Sequence, residues 1–271
     1  MGDRPVDALS DMFRAAREEG RTLLLPYLMV GLPDPASSIE LFSAMADAGA
    51  DGFEVGIPYA DPLMDGPLIM AAGQAALRSG ITVPVALDLA GRVRSETGKP
   101  VVVMTYTNPV LRHGVDHFFS ELASRDIAGV IVADLPVDEI APFREAAIEA
   151  GVGIVAFAAP TTTDERLDAV VATDPVFVYA IAEVGVTGER RDRSANTSDL
   201  ATRIRARSDV PIVFGVGIST PDHAAAAASV GDGVILGTAI VRRVVEATTT
   251  EEAKTSLAAF VTDLRTAIDA K

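Results

Sequence analysis

The sequence predicts an α/β protein that folds as a (β/α)8 TIM barrel with an extra N-terminal helix. Short β-branched apolar runs alternate with Ala-rich or amphipathic stretches along the chain, which is typical of a parallel sheet covered by helices. Eight such units fit within the 271 residues, whereas a doubly wound sheet more often has about five or six strands. No low-complexity linker or shift in composition marks a boundary, so residues 1–271 are expected to form a single barrel domain.

Each predicted strand is a short apolar run, and a helix-like segment with apolar positions three to four residues apart follows it. The eight predicted strands are residues 22–31, 51–58, 100–109, 128–136, 153–160, 176–181, 211–218 and 232–239. Residues 5–20 predict the extra helix before the first strand, and residues 82–98 predict a further helix before the third.

Polar residues indicate where three of the helices begin. Ser37 or Ser38, Asp138, and Thr163 or Asp164 stand at positions where N-caps are expected. The side-chain oxygen of such a residue accepts a hydrogen bond from an otherwise unpaired N–H group in the first helical turn.

Composition excludes several classes of function. The formal net charge of −15 argues against a nucleic-acid surface, since phosphate backbones are bound by clustered Lys and Arg. The absence of cysteine excludes disulfides and thiolate chemistry, and it fits a reducing compartment. No apolar run approaches the roughly 18 residues of a membrane span, and the first ten residues show no apolar signal core. A cytoplasmic protein that binds neither nucleic acid nor membrane is therefore expected.

The stretch EVGIPYADPLMDGP, residues 54–67, contains three carboxylates in a predicted strand and the loop that follows it. In barrel enzymes, catalytic groups lie at the C-terminal ends of strands and in the following loops. Alternation places Glu54 on the opposite face of its strand from Phe53 and Val55, toward the barrel mouth. Glu54 is either catalytic or paired with Arg or Lys in the core. Asp65 is placed over the mouth, and Asp61 is at least as well explained by a turn ahead of a proline.

Two glycine-rich stretches follow the last two predicted strands, at residues 214–219 and 235–240. The loops after the seventh and eighth barrel strands commonly bind phosphate through backbone N–H groups, and glycine lets the backbone approach closely. A small phosphorylated ligand is therefore expected despite the negative net charge. The polar stretch at residues 183–199, which contains two glycines, predicts a loop that covers the site.

The histidines predict no metal site. His113, His117 and His223 are the three histidines of the chain, and none is expected to have a carboxylate or cysteine partner at ligand spacing. His113 and His117 are separated by four positions, but Gly114 between them suggests a surface turn.

Six motifs, taken in order over nearly the whole chain, resemble the α-subunit family of tryptophan synthase. They are EVGIPYADPLMDGP, VVVMTYTNPVLRHGVD, GVIVADLPVDE, APTTTDERL, GVTG, and GVGIS followed by GVILGTAIV. The combination is far more specific than any one motif. A different phosphate-binding barrel enzyme would have to match all six by chance.

The resemblance implies retro-aldol cleavage of indole-3-glycerol phosphate to indole and glyceraldehyde 3-phosphate, without a metal or a Schiff base. It implies that Glu54 is the acid and base and that Asp65 stabilises the positive charge on the indole ring nitrogen. One carboxyl group near both the ring carbon and the side-chain hydroxyl can transfer the proton between them.

The resemblance also assigns the remaining site residues. Phosphate contacts are expected from Gly188, Gly217, Gly237 and Thr238, with Thr238 where the family more often has Ser. Tyr106 and Ala133 are expected in the indole pocket. The family's tyrosine before the covering loop corresponds to Tyr179, and the loop threonine that orients the aspartate corresponds to Thr187.

The resemblance implies a β-subunit partner in an α2β2 heterotetramer, with pyridoxal phosphate bound in the β subunit and no cofactor in this chain. Four positions depart from the family pattern on or near the loops that face this partner: Leu68, Met70, Ala182 and Glu183. Two alternatives therefore stand beside the α-subunit role. One is a stand-alone lyase that releases free indole, and the other is a non-catalytic activator of a β subunit, which the retention of Glu54 and Asp65 disfavours.

Overall fold

Parallel strands pair in an order that nearly closes a barrel. The computed structural model describes residues 4–181 and 190–270. Its strands are β1 Leu23–Met29, β2 Phe53–Gly56, β3 Val101–Thr105, β4 Gly129–Val132, β5 Gly153–Ile154, β6 Ala156–Ala158, β7 Val178–Ile181, β8 Ile212–Gly215 and β9 Gly233–Leu236. They pair in the order β5-β4-β3-β2-β1-β9-β8-β7-β6. The predicted barrel is confirmed.

The nine segments correspond to the eight predicted strands because the fifth is split at Val155. Its first half, β5, pairs with β4, and its second half, β6, pairs with β7. The N–H of Val155 donates to the carbonyl of Val130 at 3.1 Å, so hydrogen bonding continues through the break. The two ends of the sheet are therefore two parts of one strand, which completes the ring.

Helices surround the barrel, and within the described ranges there are twelve. They are α1 Pro5–Glu18, α2 Pro35–Asp47, α3 Pro67–Arg78, α4 Val83–Thr97, α5 Thr107–His113, α6 Val115–Ser124, α7 Ala141–Ala150, α8 Asp164–Ala172, α9 Arg190–Arg205, α10 Pro221–Ala228, α11 Thr238–Glu246 and α12 Thr250–Asp269. A short 3₁₀ helix spans Val137–Glu139.

The extra helix α1 packs across the end of the barrel where the strands begin. Its apolar residues Leu9, Phe13 and Ala16 are buried. The ring of Phe13 lies 5.8 Å from that of Phe177, the residue just before β7. The N–H of Val6 donates to the carbonyl of Gly151 at 3.0 Å. Helix α1 thus covers the end of the barrel at which the strands begin.

Two of the three predicted helix starts are wrong. Helix α2 is capped by Asp34, whose carboxylate accepts from the N–H groups of Ala36 and Ser37, because Pro35 begins the helix three residues earlier than expected. Asp138 lies within the 3₁₀ helix and pairs with Arg166 instead of capping α7. Thr163 does cap α8, as predicted.

The prediction of a loop throughout residues 183–199 is wrong for the second half of that stretch. Helix α9 occupies Arg190–Arg205, so the second half of the stretch is helical. The segment contains no Gly or Pro after Gly188, and Leu200, Ala201 and Ile204 are buried, which stabilises the helix by packing. Residues 182–189 lie outside the described part of the chain.

In the described ranges, no single helix is long and apolar enough to cross a membrane. Helices α3 and α4 together are long and apolar enough, but they are bent by 106° relative to each other.

Candidate functional site

A cavity of about 520 Å³ opens at the C-terminal ends of the strands. Its described walls come from β1, β2, β3, β4, β6, β7 and β9 and from the loops that follow them. The lining residues are Tyr27, Glu54, Met64, Asp65, Gly66, Ile69, Met104, Ile131, Ala133, Asp134, Leu135, Pro136, Phe157, Tyr179, Ile181, Val216, Gly217, Ile218, Ile235, Gly237 and Thr238. Enzymes with a (β/α)8 barrel bind their substrates at this end of the barrel.

Glu54 is held rigidly in the wall of this cavity. It lies in β2, paired in register with Tyr27 of β1 and Val102 of β3, and its residue surface is only 5% exposed. Among the described residues, its Oε2 atom has no hydrogen-bond partner. Burial, and secondly the negative charge of Asp65, raises the pKa of Glu54 to about 8. At neutral pH the group therefore carries a proton that it can donate.

Asp65 reaches the same cavity from the loop after β2. Its Oδ1 atom accepts a hydrogen bond of 2.8 Å from the hydroxyl of Tyr106, at the end of β3. The loop forms a tight turn in which the N–H of Asp65 donates to the carbonyl of Pro62 at 3.0 Å. Burial raises the pKa of Asp65, and the hydrogen bond from Tyr106 opposes that rise. A second carboxylate is thus fixed at the mouth without being in the barrel wall.

The support of Asp65 extends beyond Tyr106. The ring of Tyr59 lies 5.3 Å from that of Tyr106, and the hydroxyl of Tyr59 accepts from Asn108 at 3.0 Å. Asp134, after β4, accepts from both the N–H and the hydroxyl of Thr107, at 2.6 and 2.8 Å. These contacts hold the chain directly after Tyr106 and place a second ring beside it, which restricts the movement of the phenol.

Two buried tyrosines, Tyr27 and Tyr179, flank Glu54, and burial raises the pKa of each phenol well above its ordinary value. Glycines leave room for both rings. A Cβ at Gly56 would clash with the hydroxyl of Tyr27, and one at Gly215 would clash with the hydroxyl of Tyr179. The hydroxyl of Tyr27 is buried without a hydrogen-bond partner in the described structure. The floor of the cavity therefore contains unpaired polar atoms, which is costly unless a ligand uses them.

The glycine-rich loops lie at the other side of the cavity. Val216 and Gly217 both have positive φ, 59° and 82°, directly after β8. For a β-branched residue such as Val216 this conformation is strained, which is typical of functional sites. Helix α11 begins at Thr238 with Gly237 as its N-cap and no side-chain cap. The first N–H groups of that helix lack intrahelical partners and favour an anion.

The cavity combines an apolar part with this anion-binding edge. Met104, Ile131, Ala133, Leu135 and Phe157 are among the residues of the apolar wall. None of the described lining residues is Lys or Arg. A bound phosphate would thus depend on backbone N–H groups.

The structure gathers most of the residues singled out from the sequence. The cavity is lined by Glu54, Asp65, Ala133, Tyr179, Gly217, Gly237 and Thr238. Tyr106 lies behind Asp65 and is not among the lining residues. Thr187 and Gly188, together with Ala182 and Glu183, lie outside the described residues.

Sequence reasoning missed Tyr27 and Asp134, which also line the cavity. Every residue of β1 is buried, so alternation did not indicate which side chains face the cavity. Asp134 had a usable signal, because it is a carboxylate near the C-terminal end of a predicted strand.

The expectation that the histidines have no carboxylate neighbour is wrong. The possible ligand atoms of His113, His117 and Glu121 lie within 4.8 Å of one another. The rings of His113 and His117 are stacked, with centroids 4.7 Å apart. Glu121 lies four residues after His117, one helical turn further along α6, and the carboxylate therefore returns to the same face.

Comparison with known proteins agrees with this geometry. The family model described as tryptophan synthase alpha chain matches residues 13–269. A tryptophan synthase alpha chain from Streptomyces coelicolor is 43% identical over 242 residues, which is 89% of each chain.

Two solved structures are similar over nearly the whole chain. One is a tryptophan synthase from Mycobacterium tuberculosis, 38% identical with a TM-score of 0.87, in which the match covers 96% of this chain and 97% of that one. The other is tryptophan synthase subunit alpha from Legionella pneumophila, 28% identical with a TM-score of 0.89 and full coverage of both chains. By family model, sequence identity and fold, this chain belongs to the tryptophan synthase alpha chain family.

Proposed function

We propose that this chain cleaves indole-3-glycerol phosphate to indole and glyceraldehyde 3-phosphate, as the α subunit of tryptophan synthase in tryptophan biosynthesis. Family membership supports a lyase of this pathway. One observation supports this specific reaction. Glu54 is a buried carboxyl group with an unpartnered oxygen, and a second carboxylate, Asp65, lines the same cavity.

The protonation state of Glu54 suits the first step. Because its pKa is raised to about 8, Glu54 is protonated at neutral pH and can donate to the indole carbon that bears the side chain. That carbon becomes tetrahedral, and the ring becomes a cationic indolenine. The same group, now a carboxylate, is then the base for the next step.

The second step returns the proton. The carboxylate of Glu54 removes the proton of the adjacent side-chain hydroxyl, the oxygen forms the aldehyde, and the carbon–carbon bond breaks. Its electron pair returns to the indole ring and restores aromaticity. Glu54 ends protonated as it began, so neither a cofactor nor an external acid is needed to balance the reaction.

Asp65 has the complementary role. Positive charge develops at the ring nitrogen in the indolenine, and a fixed carboxylate near the ring N–H stabilises it. Tyr106 holds Asp65 in place through the 2.8 Å hydrogen bond and favours its ionised form, while burial opposes ionisation. Asp65 is placed by a loop, so it approaches the substrate from a different side from the strand residue Glu54.

The remainder of the cavity fits the substrate's two ends. The apolar wall around Ile131 and Phe157 suits the flat indole ring, with Ala133 leaving room for it. The N–H groups around Gly217 and at the start of α11, together with the hydroxyl of Thr238, suit the phosphate. We propose that Gly188 and Thr187 complete the site from the segment outside the described residues.

A purely binding role is disfavoured by Glu54. An unpaired carboxyl group in a buried strand costs folding free energy and contributes nothing to an external surface. We further propose that the chain works with a β subunit in an α2β2 assembly, where pyridoxal phosphate belongs to the β subunit. The structures of tryptophan synthase that resemble this chain support that proposal.

The direct test is to incubate the purified chain with indole-3-glycerol phosphate and measure indole and glyceraldehyde 3-phosphate, with and without a β subunit. We expect the two products in equal amounts, and formation at least about 100-fold slower from Glu54→Gln at the same concentration. A folded wild-type protein that produces neither, even with a β subunit, would contradict the proposal. Rapid turnover that no β subunit from the same source alters would instead support the stand-alone lyase.

A further inference from the structure

A cluster of three metal-ligating side chains lies on the helices after β3, apart from the cavity. It comprises His113 at the end of α5, and His117 and Glu121 on α6. None of the three lines the cavity described above. We propose that this cluster binds a divalent transition-metal ion of the Zn²⁺ class, a site distinct from the lyase centre.

A break in the helix brings the three residues together. Residues eight apart in one straight helix are about 12 Å apart along its axis, too far to share an ion. Here α5 ends at His113 and α6 begins at Val115, with Gly114 between them at φ 88°. The possible ligand atoms then lie within 4.8 Å of one another.

The spacing needs only a small adjustment to hold an ion. Ligand bonds of roughly 2.0–2.2 Å in a tetrahedral site place the donor atoms about 3.4 Å apart. His117 is exposed, so its ring can rotate inward without displacing the core. Its exposure also provides a path by which the ion enters and leaves space for a water molecule as the fourth ligand.

One nitrogen atom of the cluster is buried without a hydrogen-bond partner in the described structure. Nε2 of His113 is buried with no hydrogen-bond partner among the described residues, although a neutral ring nitrogen there could accept one. A metal ion at this position would satisfy it. The nearly parallel rings of His113 and His117, inclined by 16°, present nitrogen atoms to the same space.

The nearby arginine orients the third ligand. Nη1 of Arg125 lies 2.8 Å from Oε2 of Glu121, and Arg125 also pairs with Asp88 at 2.8 Å. One carboxylate oxygen of Glu121 is therefore held, and the other is left for the metal. Hydrogen-bonded partners of this kind commonly fix the orientation of a ligating carboxylate. Asp88 offsets the positive charge that Arg125 would otherwise bring near the ion.

The donor set determines the class of ion. Two imidazoles and one carboxylate suit Zn²⁺ and its neighbours, whereas Mg²⁺ and Ca²⁺ prefer sites made of oxygen atoms alone. The ion would join the two helices across the Gly114 break, which immediately follows the helix begun at Thr107 beside Tyr106. This role is structural and does not depend on the lyase reaction.

The test uses full-length, untagged protein freed of metal with a chelator. Zn²⁺ is titrated in competition with a chromogenic chelator, and Co²⁺ is used separately to obtain the visible absorption of the bound ion. We expect one equivalent to bind, and His117→Gln or Glu121→Gln to weaken binding by at least about tenfold, since even loss of an outer partner costs roughly 10- to 100-fold. His117 is chosen first because it is exposed, and we therefore expect its replacement to leave the fold intact.

The third histidine provides a matched control. His223 lies on α10, remote in sequence from the cluster, so His223→Gln should bind Zn²⁺ as the wild type does. Zn²⁺ should also raise the thermal unfolding midpoint of the wild type and of His223→Gln, but not that of His117→Gln. Equal affinity in the wild type and His117→Gln, or no binding of one equivalent, would overturn the proposal.

Discussion

The hydroxyl of Tyr106 donates a 2.8 Å hydrogen bond to Oδ1 of Asp65, which lies 41 residues earlier in the chain. The contact joins the end of β3 to the loop after β2 and sets the position of the second carboxylate. It also opposes the rise in the pKa of Asp65 that burial causes. A residue outside the loop thus both positions Asp65 and favours its ionised form against the effect of burial.

Tyr106→Phe should therefore lower kcat more than it alters KM. A hydrogen bond to a charged group contributes about 1.5–3 kcal/mol, which corresponds to roughly 10- to 100-fold in rate. Without it the pKa of Asp65 should rise, so the acid limb of the pH profile of kcat/KM should move to higher pH. Tyr59→Phe is the matched comparison, because it removes a supporting hydroxyl that does not bond Asp65 while its ring remains beside residue 106, so its acid limb should stay at the wild-type position. An unchanged acid limb in Tyr106→Phe would show that Tyr106 does not lower the pKa of Asp65.

The raised pKa of Glu54 predicts a pH-dependent stability. In the folded protein the pKa of Glu54 is about 8, above the ordinary value of 4.5. The contribution of protonated Glu54 to the free energy of unfolding is therefore fully present below about pH 4.5 and is lost as the pH rises through 8. Glu54→Gln has no proton to lose. Relative to the wild type it should gain unfolding free energy between pH 5 and 8.5, on the order of a few kcal/mol at about 1.4 per pKa unit.

The same variant should lose activity while remaining folded. Loss of a group that both donates and accepts the proton costs at least about 10² to 10⁴ in rate. Urea unfolding across the pH range measures the stability, and indole production measures the activity. Glu139→Gln, at an exposed carboxyl in the 3₁₀ helix, serves as control for both. Parallel stability curves for wild type and Glu54→Gln would show that Glu54 is not perturbed by burial.

Much of the fold was predictable because buried strands and helix faces appear in the sequence as local patterns of apolar residues. Each barrel strand coincided with a short apolar run, and α1 had a clear apolar face. The split of the fifth strand at Val155 and the cap at Asp34 depend on pairing geometry and on one proline, so the apolar pattern carried less information about them.

The two carboxylates of the site could be predicted from the sequence, but the contacts around them could not. Glu54 was identified because a carboxylate is rare within a strand, and Asp65 because it follows that strand. The bond from Tyr106 to Asp65 spans 41 residues and depends on the closed barrel, so no local pattern indicates it. Tyr27 was missed because all of β1 is buried, which removes the alternation that would reveal an inward side chain.

Gly215→Ala tests the packing of Tyr179. A Cβ at this position in β8 would clash with the hydroxyl and ring of Tyr179, so the ring must move away from residue 215. Overpacking of this kind costs about 1–3 kcal/mol. Denaturant unfolding should show that loss. Gly66→Ala is the comparison, since a Cβ there meets nothing within 4 Å. Equal stability of the two variants would show that the Tyr179 ring is not held against β8.

Gly237→Val tests the anion-binding edge. Gly237 caps α11 at φ −106°, which a larger residue can adopt, so the protein should fold. A Cβ at this position would lie 3.3 Å from the ring of Tyr27, and the methyl groups would narrow the edge of the cavity beside the first N–H groups of the helix. Binding of glycerol phosphate should therefore fall in calorimetry. Thr238→Val, which removes a hydroxyl but leaves the N–H groups, should cause a smaller loss. Unchanged affinity in Gly237→Val would place the phosphate elsewhere.

Met70→Glu tests the proposed β-subunit surface. Leu68 and Met70 follow the catalytic loop, and the structure separates them: Leu68 packs against the core, while Met70 is 41% exposed on α3. A partner that closes the loop carrying Asp65 would raise the rate by shifting the population of conformers. A tenfold rise corresponds to about 1.4 kcal/mol of coupling between the subunits.

Burying a new unpaired charge costs several kcal/mol, so Met70→Glu should abolish most of that rise while leaving the activity of the isolated chain unchanged. Titration with a β subunit while indole is followed measures both quantities in one experiment. Ile148→Glu is the matched control, because this residue of α7 is 60% exposed and borders a second cavity at the bottom of the barrel. If Met70→Glu responds to the β subunit as fully as Ile148→Glu does, the exposed face of α3 is not part of the contact.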